Sequence, residues 1–137
     1  MPEFELIERS PTVQEYLLLR RSAGWGEMSD EGVALGLAHA LYSVVLERDG
    51  VAVGCGRVVG DGGMYFYVQD VIVSPELRGR GFGARIMDRV MGFLEGAAEP
   101  GAFVGLMAAQ GVEGFYERYS FRRRQDDRPG MFIVWDR

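Results

Sequence analysis

The segment from Val71 to Ala84 constrains the fold of this chain more than any other. It reads Val-Ile-Val-Ser-Pro-Glu-Leu-Arg-Gly-Arg-Gly-Phe-Gly-Ala, and apolar residues at helical spacing continue to Leu94. This order predicts a strand, a glycine-rich loop and a helix. The first backbone amides of such a helix have no partner within the helix and lie at its positive end, and glycines let an anion approach them closely. The segment therefore predicts a binding site for a phosphate or pyrophosphate.

The residues before this loop predict an antiparallel sheet. Three runs of strand-forming residues, at 42–47, 51–59 and 64–73, are separated by turn sequences that contain Asp49-Gly50 and Gly60-Asp61-Gly62-Gly63. Asp-Gly between two such runs is a strong hairpin signal. An alternating strand at 4–8 and helices over 12–19 and 29–40 precede them. We therefore expect three consecutive antiparallel strands.

The residues after the loop predict a crossover helix and two further strands. A helix over 84–94 is followed by a break at Glu99-Pro100-Gly101, a strand at 102–108, a short helix at 112–119 and a last strand at 131–135. The predicted fold class is α/β (α+β), with a mixed, mostly antiparallel central sheet flanked by helices. With 137 residues, the chain has the length of a single domain, so we assign residues 1–137 to one domain.

Composition excludes several function classes. The formal net charge of -5 argues against a nucleic-acid partner, because such binding normally needs a broad basic face, and it mildly favours cationic ligands such as amines. The chain has one histidine, His39, and one cysteine, Cys55. This argues against a zinc or iron site and excludes a disulfide within the chain. We read Cys55 as a buried apolar residue. Without a membrane-spanning run or a secretory signal, we expect a cytoplasmic protein that does not bind membranes.

Two familiar glycine-loop chemistries fit poorly. A phosphate-binding loop of the kinase type needs Lys followed by Ser or Thr, whereas this chain has Ala84-Arg85. Gly79, Gly81 and Ala84 do satisfy the dinucleotide fingerprint, but that fold needs an acidic residue at the end of the following strand. Glu99 precedes the strand instead, so a dinucleotide site is disfavoured.

A third chemistry rests on a resemblance that spans nearly the whole chain. Arg78, Gly81 and Gly83 match the coenzyme A loop of the GNAT superfamily of acetyltransferases, and the residues around them are also similar to that family. Downstream, the sequence from Gly114 to Phe121 resembles the family's helix that ends in Phe-Tyr and then Gly-Phe. Ser120 stands where the family usually has glycine, so we expect a changed helix cap with the fold intact.

The resemblance implies a GNAT-like acyl-CoA N-acyltransferase fold and a direct transfer of the acetyl group from acetyl-CoA to an amine, with no metal. The backbone of the preceding strand would hold the pantetheine arm, the loop would hold the pyrophosphate, and Phe115 would also contact the cofactor. The implied coenzyme A residues are Val71, Ile72, Val73, Arg78, Gly79, Arg80, Gly81, Phe82, Gly83, Ala84 and Phe115. Tyr116 corresponds to the tyrosine that protonates the departing thiolate, although Tyr119 or water is an alternative donor.

The acceptor side of the reaction is less determined. Asp70 is the carboxylate nearest in sequence to the reacting carbonyl. Either Asp70 takes the proton of the amine, or it binds the ammonium group and the proton is relayed through water; local hydrogen bonding is the alternative role. Trp25 either lines the acceptor pocket or packs in the core, and Tyr65, Tyr67 and Met131 are further lining candidates. We expect a small-molecule amine. A protein lysine or N-terminal acetyltransferase, a non-catalytic acetyl-CoA-binding module and a homodimer stay open.

Overall fold

Three long neighbouring strands form the middle of the sheet in the computed structural model, which describes residues 3–135. The strands are β1 (Phe4–Ile7), β2 (Tyr42–Arg48), β3 (Val51–Gly60), β4 (Tyr65–Val73) and β5 (Phe103–Gly105). The helices are α1 (Val13–Ser22), α2 (Asp30–Ala38), α3 (Phe82–Ala97) and α4 (Glu113–Glu117), with a short 3-10 helix at Pro75–Leu77. The strand order is β1-β2-β3-β4-β5. The predicted fold class, a mixed and mostly antiparallel sheet flanked by helices, is confirmed.

The strand directions follow from the turns and from the crossover helix. β1 to β4 pair antiparallel in succession, while β5 pairs parallel to β4 after the chain has passed through α3. α1 begins at a capping box, in which Thr12 and Glu15 each bond the other's backbone amide. α2 begins after Ser29, whose hydroxyl accepts from the Gly32 amide at 3.1 Å.

Helices cover both faces of the sheet. α1 supplies Leu19 to a buried cluster that includes Cys55 of β3 and Ile72 of β4. Gly56, the next residue of β3, points to the opposite face, where a Cβ would lie 2.7 Å from the Ile86 side chain of α3. The absent side chain therefore lets α3 pack close to the sheet. Cys55 is 3% exposed, as predicted.

The chain divides into two compact units, one up to Leu106 and one from Met107. The second unit contains α4, and its predicted strand at 131–135 is wrong, because these residues form no strand. Their sequence has strand-forming residues, but a strand also needs a neighbouring strand to complete its hydrogen bonds, and none pairs with them within residues 3–135. β5 is also shorter than predicted. In residues 3–135, no helix combines the length and apolarity that spanning a membrane requires.

Candidate active site

β4 has an unpaired edge next to the glycine loop. It pairs with β5 only at its first three residues, from Tyr65–Phe103 to Tyr67–Gly105. Within the described chain, no strand pairs with residues 71–73 on the β5 side. Unpaired strand edges bind extended ligands through backbone hydrogen bonds. Val71, Ile72 and Val73, predicted to hold the pantetheine arm, therefore lie where an extended chain of amides can add to the sheet.

The loop after β4 contains two glycines in left-handed conformations. Gly79 has φ 79° and Gly81 has φ 84°, and a Cβ added to either would meet no heavy atom within 4 Å. These positions need glycine for backbone conformation, since side chains rarely adopt such angles. The space beside them is open, so an anionic group can approach the backbone of the loop.

The N-terminus of α3 is electropositive and has no side-chain cap. Gly81 precedes Phe82 without a capping side chain, and the first turn has no acidic residue. Arg80 is held nearby, with its guanidinium carbon 5.3 Å from the ring centroids of both Phe4 and Phe82. Arg78 donates from Nε to the Val73 carbonyl at 3.3 Å. Two cations beside the positive end of a 16-residue helix fit a site for a diphosphate group.

A bulge separates this edge of β4 from the middle of the strand. Arg57 faces Gln69 and Cys55 faces Ile72, so Gly56 alone lies opposite the two residues Asp70 and Val71. Asp70 has φ 58°, a left-handed conformation that aspartate tolerates better than most residues. Bulges bend a strand and redirect its side chains, and they are frequent next to active sites.

The Asp70 carboxylate is buried and already paired. Its Oδ2 accepts from Arg57 Nε at 2.7 Å, its Oδ1 accepts from Gln69 Nε2 at 3.3 Å, and Arg20 Nη1 lies 4.0 Å from Oδ1. The side chain is 1% exposed. To bind an ammonium group, Asp70 would have to give up its contact with Arg57. Its catalytic role stays a prediction, and this geometry favours the alternative of local hydrogen bonding.

Sequence reasoning missed the residues that surround Asp70. Arg57 lies in β3, Arg20 in the last turn of α1, and Tyr16 one turn earlier. Burial and, next, the charge of Asp70 raise the pKa of Tyr16 above its ordinary value. One signal was present in the sequence, since Arg57 is the single charged residue in the otherwise apolar run 51–59. Its partners are too distant in the chain for a local pattern to find.

Three of the predicted acceptor residues lie in the first unit. Trp25 is partly buried against the cluster of Leu19 and Ile72, and the Arg20 guanidinium lies 5.7 Å from its ring centroid. Tyr65 is 61% exposed. The hydroxyl of Tyr67 is buried and has no hydrogen-bond partner within residues 3–135, and burial raises its pKa. Trp25 thus packs on the core beside a charged group, and its role in lining an acceptor pocket stays a prediction.

The second unit holds the other predicted residues. Tyr116 is partly buried, which raises its pKa, and its ring packs edge-on against Phe115 at 5.0 Å and Phe121 at 6.2 Å. Met131 is 90% exposed. The expected change of cap at Ser120 is wrong. Ser120 itself adopts the left-handed conformation, with φ 73°, and Phe121 N donates to Tyr116 O at 3.4 Å across the helix end.

The residues at the junction of β4 and α3 fit coenzyme A. Within residues 3–135, no three His, Cys, Asp or Glu side chains are grouped to hold an ion. The open glycine loop, the uncapped helix and the free strand edge are consecutive in the chain. They suit a ligand that has a diphosphate at one end and an extended amide chain at the other.

Comparisons with known proteins agree with this geometry. The family model of the acetyltransferase (GNAT) domain matches residues 39–123 of this chain. An uncharacterized N-acetyltransferase, ycf52, of Porphyra purpurea is 28% identical over 115 residues, which cover 81% of this chain and 65% of the relative. The protein from Pyropia yezoensis that has the same name is 26% identical over the same shares of each chain. This chain thus spans about 65% of the length of these curated relatives.

Solved structures are similar over nearly the whole chain. A protein of unknown function from meticillin-resistant Staphylococcus aureus, described as a "probable acetyltransferase", has a TM-score of 0.92 at 29% identity and covers 97% of this chain and 100% of its own. A GNAT family acetyltransferase from Streptococcus pneumoniae has a TM-score of 0.76 at 26% identity. The match covers 100% of this chain and 99% of that protein. Since the family model matches more than half of the residues, the chain belongs to the GNAT acetyltransferase family.

Proposed function

We propose that this protein is an N-acetyltransferase that moves the acetyl group of acetyl-CoA to the primary amine of a small molecule, within a ternary complex. The observation that carries the proposal is the junction of β4 and α3. There a free strand edge, two left-handed glycines and an uncapped helix follow one another within the matched family domain. A structural neighbour of the same fold, N-acetylglutamate synthase of Neisseria gonorrhoeae, was solved with coenzyme A (TM-score 0.70, 15% identity, covering 93% of this chain and 29% of that one).

Coenzyme A binding is assigned to the backbone more than to side chains. Residues 71–73 bond the pantetheine amides, the loop and first turn from Arg78 to Ala84 bond the pyrophosphate, and Phe115 contacts the cofactor. The open space beside Gly79 and Gly81 supports this assignment, because it leaves their backbone accessible to the diphosphate. Arg78 and Arg80 add positive charge.

The reaction is a direct acyl transfer. The neutral amine attacks the thioester carbonyl, a C–N bond forms, the C–S bond breaks, and the thiolate leaves with the bonding electrons. A backbone amide near Val71 stabilises the oxyanion, a role for which a single donor contributes about 3 kcal/mol in other enzymes. The thiolate then takes a proton from Tyr116. A phenol with its ordinary pKa of about 10 is protonated at neutral pH, and burial raises the pKa of Tyr116 further, so the proton to be donated is present.

Water takes the proton of the attacking amine in this proposal. Of the two candidates that the sequence left open, Asp70 is the less suited, because Arg57 and Gln69 already occupy its carboxylate. Asp70 is then a positioning residue that fixes the bulge before Val71. A cytoplasmic location, one domain over residues 1–137 and assembly as a homodimer stay predictions.

Calorimetric titration with acetyl-CoA and a thiol-release assay over a panel of amines test the proposal. We expect saturable acetyl-CoA binding and amine-dependent release of coenzyme A. Tyr116→Phe should lower turnover by about 10²-fold with unaltered coenzyme A affinity, because only proton donation is lost. Tyr119→Phe is the matched comparison for the alternative donor. Absence of acetyl-CoA binding would refute the function, and full turnover of Tyr116→Phe would remove Tyr116 from the mechanism.

A further inference from the structure

Two arginines share a single buried carboxylate on the sheet face that α1 covers. Arg57 and Arg20 are 16% and 12% exposed in their side chains, and Asp70 is 1% exposed. Two positive charges against one negative charge leave a formal surplus of one positive charge. Buried charges are costly unless they are paired, so this surplus calls for a further partner.

Both guanidinium groups retain unused donors. Arg57 donates from Nε to Asp70 and from Nη1 to the Gly36 carbonyl at 3.2 Å. Arg20 donates from Nε to the Gly26 carbonyl at 2.8 Å and from Nη1 to the Tyr16 hydroxyl at 3.4 Å. Within residues 3–135, neither Nη2 makes a hydrogen bond. Each Nη2 carries two N–H groups in a geometry that suits carboxylate or phosphate oxygens.

The neighbouring groups compensate the surplus only in part. Arg20 lies in the last turn of α1, where the helix dipole favours a cation, and over the ring of Trp25. Both effects involve partial charges and contribute less than a full countercharge. Within the described chain, Asp70 is the one carboxylate within 4.0 Å of either arginine. The cluster therefore has unused donors and a charge surplus for one more anion.

We propose that the acceptor amine carries an anionic group, a carboxylate or a phosphate, that binds Arg20 and Arg57 while the amine reacts. The two guanidinium groups already approach one carboxylate together, so a second anion of similar size can bridge them. Trp25, predicted to line the acceptor pocket, lies against Arg20. This inference rests on the proposed acetyltransferase function and narrows its substrate class. The net charge mildly favours cationic ligands such as amines, and this inference adds an anionic group to the amine.

Matched acceptors that differ only in the anion test the proposal. Ethanolamine is compared with O-phosphoethanolamine, and propylamine with β-alanine, so that the two pairs separate phosphate from carboxylate. We expect kcat/KM to be at least about 10-fold higher for one anionic member than for its neutral counterpart, as the loss of one charged hydrogen bond typically costs this much. Equal rates within both pairs, or faster reaction of the neutral amines, would overturn it.

Variants of Arg20 and Arg57 test whether these two residues bind the anionic group of the acceptor. Arg20→Gln should raise KM for the preferred anionic acceptor about 10- to 100-fold, with kcat and the neutral acceptor little changed. Arg57→Gln with Asp70→Asn removes the second arginine without leaving a lone carboxylate, and should raise KM more for the anionic acceptor than for its neutral counterpart. Arg89→Gln is the control, because Arg89 forms a half-exposed ion pair with Glu8 elsewhere. Equal losses for both members of a pair, or losses as large in Arg89→Gln, would contradict the proposal.

A binding measurement keeps the inference independent of turnover. Inorganic phosphate is titrated into the protein while NMR follows the arginine Nε–H signals. We expect saturable shifts for Arg20 and Arg57 that Arg20→Gln abolishes. If these shifts appear but no amine is acetylated, the anion site stands and the proposed function fails. If amines are acetylated and phosphate shifts neither signal, the anion site fails and the function stands.

Discussion

Asp70→Asn is the most informative single substitution for the architecture of this site. It removes one negative charge but keeps the size of the side chain, and asparagine tolerates the left-handed conformation at φ 58°. The substitution leaves Arg57 without its 2.7 Å ion pair and Arg20 without its carboxylate, in a place where Asp70 is 1% exposed. Removing one partner of a buried pair costs about 3 to 5 kcal/mol. Since Arg57 is itself partly exposed, we expect the lower end, about 3 kcal/mol.

Urea and thermal unfolding measure this cost. A loss of 3 kcal/mol lowers the midpoint of a domain of this size by roughly 10 °C. Asp49→Asn is the matched control, because Asp49 also has a left-handed backbone, at φ 52°, but lies exposed in the turn between β2 and β3. We expect its midpoint to stay at the wild-type value. If Asp70→Asn unfolds at the same midpoint as Asp49→Asn, the buried pair does not stabilise the fold and the reasoning fails.

Two further predictions concern packing and pH. Gly56→Ala should destabilise the fold by about 1 to 3 kcal/mol in urea unfolding, because its Cβ would lie 2.7 Å from Ile86; an unchanged midpoint would show that α3 moves freely. Glu15, hydrogen-bonded to Arg9, has a pKa lowered from 4.5 to about 2, so its contribution to stability is present above pH 4.5 and is lost as the pH falls through 2. Glu15→Gln should therefore be less stable at pH 7 and lose less stability between pH 5 and 2, and parallel pH curves for variant and wild type would contradict this.

Local patterns were sufficient for most of the elements. The Asp-Gly turn, the β-branched runs and the spacing of apolar residues in α3 each act over a few neighbouring residues, and β2, β3, β4 and α3 form where predicted. The glycine loop could also be predicted from the sequence. Gly79 and Gly81 adopt left-handed φ angles that favour glycine, and such a loop is a local feature of the chain. Resemblance to the GNAT family then indicated its ligand, which the loop by itself left as any phosphate.

The sequence by itself determined the order of β1 to β5 and of the helices along the chain, and the position of the glycine loop, because hydrophobic periodicity, turns and caps are short-range. Only the tertiary structure decided the environment of Asp70, where Arg20 of α1 and Arg57 of β3 converge on a bulge in β4. It also decided against a strand at 131–135, whose residues favour a strand yet have none beside them in residues 3–135. In both cases the outcome depends on groups far apart in the chain, since a charge or a strand edge is stabilised by whatever partner the fold brings to it.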